Sequence, residues 1–217
     1  MFNHCPPIEL KDLKTENVNG SRYYVTPTGK YPSITTILGS FNKQKLYEWR
    51  QRVGAVEANR ISSTAASKGT KVHSLCEKYL LNEDIDKKST TIDAYHIFKS
   101  MLPLLNKINN IHYLECALYS NILKVAGRVD CIGEYDGVLS IIDFKTSSRI
   151  KTEDDIEDYF LQTTAYAMCY YELTGIKVRQ IAILMGVEHD FPLVFVKNIN
   201  SYYGPLVKKI KTFHAMS

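Results

Sequence analysis

The sequence lacks the features that would announce several common protein classes. No apolar run approaches the length of a bilayer span, which excludes an ordinary transmembrane helix. Its five cysteines, Cys5, Cys76, Cys116, Cys131 and Cys169, form no Cys-x-x-Cys pair, and their number is odd. That argues against a disulfide framework and against a zinc site, and reads the thiols as small buried apolar groups. There is no Gly-rich phosphate loop and no Ser-His-Asp constellation. Repeats and low-complexity tracts are missing too. The opening residues, Met-Phe-Asn-His-Cys-Pro-Pro, match neither a signal peptide nor an Arg-rich transit peptide, so the expected compartment is the cytoplasm, with no membrane partner.

What is present is ordinary in bulk. The 217 residues suffice for one domain with a real core, and 45% apolar with 23% charged residues is the balance of a globular chain. No composition shift marks a boundary, so residues 1–217 read as a single domain with an irregular entry over 1–30. The net charge of +4 is compatible with a polyanionic partner without demanding one.

The chemistry concentrates between Val125 and Lys145. Two β-branched runs flank Asp136-Gly137, and Asp-Gly between such runs predicts a hairpin with a type I′ turn. Counting outward from Tyr135 opposite Val138 places Asp130 opposite Asp143 and Arg128 opposite Lys145. Residues two apart share a face, so all four are expected on one side of the sheet. Opposed carboxylates about 5 Å apart repel by roughly 3 kcal/mol at an effective dielectric near 20. Two readings follow. A hard divalent cation such as Mg²⁺ or Mn²⁺ bridges the acids, or the acids splay into water beside Arg128 and Lys145.

The remaining segments supply a framework. Ser33 is a suitable N-cap for a helix over Ile34–Leu38, ended by Gly39. A long helix is expected from Asn42 to about Ser67, broken at Lys68-Gly69-Thr70, with a second from Thr70 to Leu81. On that second helix His73 and Glu77 sit four apart, beside the stripe Val72, Leu75, Cys76, Tyr79 and Leu80. A helix over Thr90–Ile108 and a strand over Ile111–Tyr119 containing Glu115 precede the hairpin. A basic loop, Thr146 to Lys151, follows it. A helix then runs from Thr152 to Leu173 and stops at Gly175. Two strands, Lys177–Val187 and Phe191–Ile199, and a helix from Ser201 complete the chain. This order predicts an α/β fold with a mixed sheet.

Gly127-Arg-Val-Asp130 followed by Ile142-Asp143-Phe144-Lys145-Thr146 resembles the core motif of PD-(D/E)XK nucleases, and most closely their RecB-type branch. Gly69-Thr-Lys-Val-His73-Ser-Leu-Cys-Glu77 is similar to the helix that carries a metal-binding histidine in that branch. Gln162 and Tyr166 match its Gln-x-x-x-Tyr motif. The resemblance runs from about Tyr31 to Ile199 and is strongest to phage and mitochondrial exonuclease members.

It implies a restriction-endonuclease-like core with a mixed central sheet flanked by helices and a helical N-terminal part. It further implies a DNA exonuclease acting on single strands or ends in replication, recombination or repair. An endonuclease on the same fold and a non-cleaving DNA- or partner-binding protein are the alternatives. The implied ligands of Mg²⁺ or Mn²⁺ are His73, Asp130, Asp143 and the Phe144 carbonyl. Lys145 is implied in catalysis, supported by Gln162 and Tyr166, with Glu77 and Glu115 as second-tier acids. Arg128, Thr146, Ser147, Arg149 and Lys151 are the implied DNA contacts. Some members of the branch hold an iron–sulfur cluster on C-terminal cysteines; no cysteine follows Cys169, so no cluster is expected here.

Overall fold

The computed structural model describes residues 1–6 and 8–216. Near the N-terminus, β1 (Lys14–Val18), β2 (Ser21–Thr26) and β3 (Gly29–Pro32) form a small antiparallel sheet in that order. The expected irregular entry over 1–30 is thus corrected: it holds β1, β2 and the start of β3, with a turn at Pro27-Thr28 between the last two. The third strand, β1, carries no apolar alternation, and all five of its residues are exposed.

Helix α1 (Ile34–Ser40) starts where Ser33 predicts, with the Ser33 side chain accepting from the Thr36 amide. Helices α2 (Lys43–Val53) and α3 (Ala55–Leu80) correct the expected pair. The break falls at Gly54, whose φ of 82° is a left-handed conformation that glycine adopts without steric cost. Gly69 stays helical. Its bare backbone faces β6 (Val138–Ser147), and a Cβ there would lie 3.6 Å from the Thr146 hydroxyl. Helix α4 (Ile92–Leu105) follows and contains Pro103.

The main sheet comprises β4 (Ile108–Ser120), β5 (Val125–Tyr135), β6, β7 (Gln180–Val187) and β8 (Leu193–Asn198), in that order. Only β6 and β7 run parallel; the other neighbours are antiparallel. Helix α5 (Glu157–Thr174) makes the β6-to-β7 crossover that a parallel pair requires, and Gly175 caps it at φ 75°. Helix α6 (Asn200–Ala215) closes the chain.

One face of the sheet packs on α3 and α4, burying Val72, Leu75, Phe98 and Met101 against Cys131, Ile142, Phe144 and Leu184. The other packs on α1, α5 and α6 through Ile34, Phe160, Tyr170 and Leu206 against Val129, Ile141, Ile183 and Met185. The protein is thus a mixed α/β sandwich. No helix among the described residues is long and apolar enough to cross a membrane.

The hairpin has the predicted turn, with Asp136 at φ 50° and Gly137 at φ 78°. Its register is also as counted, from Tyr135 opposite Val138 to Cys131 opposite Ile142. Beyond Cys131 the alternation fails. Cys131 packs with the α3–α4 side, but Val129, two residues away, packs with the α5 side. Strand β4 breaks in step: Leu114 lies on the α3–α4 side and Cys116 on the α5 side. The two breaks meet at Asp130 and Glu115, between the paired positions Leu114–Cys131 and Cys116–Val129.

Candidate active site

That double break shapes the site. Asp130 turns toward α3, where its Oδ2 lies 3.5 Å from His73 Nδ1 and accepts the Phe144 amide at 2.7 Å. His73 reaches it because Val72, Leu75 and Cys76 bury the adjoining stripe of α3. The imidazole stands edge-on to the Phe144 ring, 6.1 Å between centroids. Glu115 joins from β4, and one ligand atom each from His73, Glu115 and Asp130 lie within 4.8 Å of one another.

Asp143 and Lys145 project from β6 toward α5. The Asp143 carboxylate is 1% exposed. Its Oδ1 accepts Gln162 Nε2 at 3.1 Å, and the same amide donates to Tyr166 Oη at 3.1 Å. Its second oxygen, Oδ2, touches the Lys145 ammonium and has no hydrogen-bond donor besides. Lys145 Nζ lies 4.9 Å from the centre of the Tyr159 ring. Gly127 of β5 runs directly beneath Tyr166; a Cβ there would sit 2.5 Å from Tyr166 Cε1.

A family model for the PD-(D/E)XK nuclease superfamily matches residues 69–187, a span that holds all of these side chains. The chain belongs to this superfamily. Among similar proteins, mitochondrial genome maintenance exonuclease 1 of Xenopus tropicalis is 31% identical over 147 residues, covering 64% of this chain and 42% of that protein. The human protein of the same name is 27% identical over 129 residues, covering 55% and 38%. An ATP-dependent helicase/nuclease of Clostridium beijerinckii is 28% identical over 148 residues, covering 57% of this chain and 12% of that one. The alignments therefore span well under half the length of these relatives.

In this PD-(D/E)XK domain the donor set fits a hard divalent ion. Two carboxylates and an imidazole converge, and a further buried carboxylate, Asp143, adjoins them with Lys145 as the only partner of its Oδ2 among the described residues. Electrostatics point the same way. Burial, with Asp130 and Glu77 nearby, pushes Glu115 up to about 7. Burial likewise lifts Asp143 to about 6, with Lys145 opposing and Asp130 adding. Burial works against the Asp130 carboxylate too, but His73, Lys145 and the Phe144 amide prevail and hold it below the ordinary range. His73 is desolvated, which disfavours its cation, yet Asp130 beside it raises its proton affinity overall. Lys145 is raised against burial by Asp143 and Asp130. Excess negative charge of this kind is what a cation relieves.

Several expected positions differ. Asp130 is not paired opposite Asp143: the ladder ends at Cys131–Ile142, and Asp130 turns to His73 of α3 while Asp143 meets Gln162 of α5. Arg128 does not share a face with Asp143 and Lys145, because the break at Asp130 intervenes. It lies with Ala126, on the side that meets Leu13 and Tyr24 near the small sheet. Its guanidinium donates to Asp12 at 2.6 Å and to the Glu115 carbonyl. Glu77, one turn beyond His73, bears on Glu115 electrostatically but is outside the three-residue cluster. Phe144 contributes its amide to Asp130 and its ring to His73.

In the basic loop, Ser147 bonds back to Arg149, and Arg149 pairs with Asp155 at 3.0 Å. Thr146 faces Gly69, and Lys151 is half-buried. Sequence reasoning missed Tyr159 and Asp12. Tyr159 precedes Gln162 by three residues and Tyr166 by seven, so helical spacing was a usable signal for it. Asp12 has none.

Proposed function

We propose that the protein is a divalent-metal-dependent DNA exonuclease that hydrolyses phosphodiester bonds in single strands or at DNA ends. The observation that carries this reading is the convergence of His73, Glu115 and Asp130 beside the buried Asp143–Lys145 pair. The exonuclease names of the mitochondrial relatives support it.

Mg²⁺ or Mn²⁺ would be held by His73, Glu115 and Asp130, with Asp143 adjoining. The ion would polarise the scissile phosphate and lower the pKa of a bound water. Lys145 cannot be a ligand while protonated. Its ammonium instead stabilises charge developing on phosphate oxygens. Gln162 fixes the Asp143 carboxylate, and Tyr166 fixes the Gln162 amide, so the acid presents one orientation. Thr146, at the end of β6, and Lys151, in the loop before α5, are the candidates for contact with the DNA backbone.

The test uses end-labelled linear DNA and closed circular DNA, single- and double-stranded, with Mg²⁺ or Mn²⁺ and with chelator. Metal-dependent mononucleotide or short-oligonucleotide release from linear substrate, with circles intact and Asp130→Asn inactive, is the expected result. Cleavage of circular single strands would establish an endonuclease instead. Binding of DNA without cleavage under any metal would leave a non-cleaving member of the fold.

A further inference from the structure

Glu115 lies in the middle of a 13-residue strand with φ at +49°. This is the left-handed region, where an L side chain crowds its own carbonyl and which only contacts from elsewhere can hold. The contact is identifiable. Arg128, on the neighbouring strand, donates from Nη1 to the Glu115 carbonyl and from Nη2 to Asp12 Oδ1 at 2.6 Å. Asp12 is largely exposed but sits beside a buried neighbour. It accepts the Leu13 amide at 3.0 Å, and Leu13 is buried with Tyr24, Ala117 and Ala126.

We propose that Arg128, held by Asp12, is a positioning residue that keeps Glu115 in its left-handed conformation and so delivers the Glu115 carboxylate to His73 and Asp130. The proposal rests on the reading of those three residues as a cation site. Under regular alternation Glu115 would share a face with Tyr113, which packs on the α5 side. The left-handed turn of the backbone swings it to the α3 side instead, where its carboxylate comes within reach of His73. Arg128 reaches the two acceptors from two separate nitrogens of one planar fork, a spacing that the single nitrogen of lysine does not reproduce.

Simple electrostatics and positioning predict opposite signs. Arg128 is a cation near a proposed dication site. Removing it should strengthen divalent binding if charge alone matters, and weaken it if Arg128 acts through Glu115.

The experiment measures Mn²⁺ affinity by calorimetry on the full chain without DNA. The variants are Arg128→Met, Arg128→Lys, Asp12→Asn, Glu115→Gln and the Arg128→Met/Glu115→Gln double. Arg128→Met and Arg128→Lys should each weaken Mn²⁺ binding about tenfold, as loss of a group that orients a ligand does. In the Glu115→Gln background, Arg128→Met should change affinity by less than about twofold, because the group it positions is already gone. Unchanged or tighter binding in Arg128→Met, or full additivity with Glu115→Gln, overturns the proposal.

Failure of wild type to bind Mn²⁺ would refute the cation-site reading instead. The crystal structure of metal-free Arg128→Met decides the positioning role independently. Glu115 should relax to negative φ with its carboxylate turned away from Asp130, and retention of the left-handed conformation refutes it. Arg128→Lys keeps the charge and most of the stem, so it serves where Arg128→Met fails to fold.

Discussion

Replacing Lys145 by methionine should destabilise the metal-free protein in a way that depends on pH. The Asp143 carboxylate is 1% exposed and the Lys145 ammonium lies against it. Asp143 carries a folded pKa of about 6 against 3.8 for the free side chain. The folded state therefore binds the extra proton, and stability falls as pH rises from 3.8 to about 6, then levels off. The loss at neutral pH is about 3 kcal/mol, at 1.36 kcal/mol for each unit. Without Lys145 the remaining partner is the neutral Gln162 amide, and the Asp143 pKa climbs further. Stability then keeps falling past pH 6. The ceiling is a carboxyl that never ionises in the fold, which at pH 8 costs roughly 6 kcal/mol in total. The deficit of Lys145→Met relative to wild type is therefore at most about 3 kcal/mol at pH 8, comparable to other broken buried pairs. At pH 5 Asp143 is mostly protonated in both proteins, and the deficit should shrink below about 1 kcal/mol.

The assay is denaturant unfolding with chelator at pH 5 and pH 8 at fixed ionic strength. The Lys145→Met/Asp143→Asn double variant should be at least as stable as wild type at pH 8 and up to about 3 kcal/mol more so, because a buried pair removed whole leaves no orphan charge and Asn has no carboxyl to ionise. A deficit equal at the two pH values, or a double variant worse than the single, would show that Lys145 contributes through its stem and not its charge.

Asp130→Asn should abolish Mn²⁺ binding and, unlike a neutral replacement at Asp143, lower stability without metal at pH 7. The Asp130 pKa is depressed by His73, Lys145 and the Phe144 amide against the cost of burial, so its contribution is present above pH 3.8 and lost as pH falls below that. Unfolding curves at pH 7 and pH 3 check the sign. Gly127→Ala should place a Cβ 2.5 Å from Tyr166 Cε1 and displace the ring. The expected cost is about 1–3 kcal/mol by overpacking, with a fall in kcat larger than any change in KM, read from melting curves and nuclease kinetics. His73→Ala should reduce Mn²⁺-supported cleavage by a larger factor than Mg²⁺-supported cleavage, since the nitrogen donor favours the softer ion. Equal loss with both metals would return His73 to a packing role.

The parts of this structure that were legible in the sequence are those fixed by neighbours along the chain. Asp136-Gly137 specifies its own turn, and the turn specifies the register as far as Cys131. Ser33 and Gly175 cap the helices beside them. Asp130, Asp143 and Lys145 could be found because they lie on or just beyond that locally determined hairpin. The illegible parts are fixed by contacts between distant segments. Gly54 and Gly69 are both glycines in a helical pattern, yet the helix breaks at Gly54 and runs through Gly69. Strand β1, all exposed, has no apolar period to read.

Glu115 is the sharpest case. Its alternation with Tyr113 assigns it to the α5 side, and only a left-handed backbone stabilised by Arg128 moves it to the α3 side. Arg128 depends in turn on Asp12, 116 residues away in the chain. A reading by period finds the aspartates but puts Asp130 and Arg128 on the face of Asp143 and Lys145, which neither shares, because the period fails where the site is built. Had the strands kept their alternation, Glu115 would face α5 with Tyr113 and the His73–Asp130 pair would lack its third donor. On the proposed reading, the irregular pairing at Glu115 and Asp130 is what gives the His73–Asp130 pair its third donor, and Arg128 bridges that break to Asp12 through the Glu115 carbonyl.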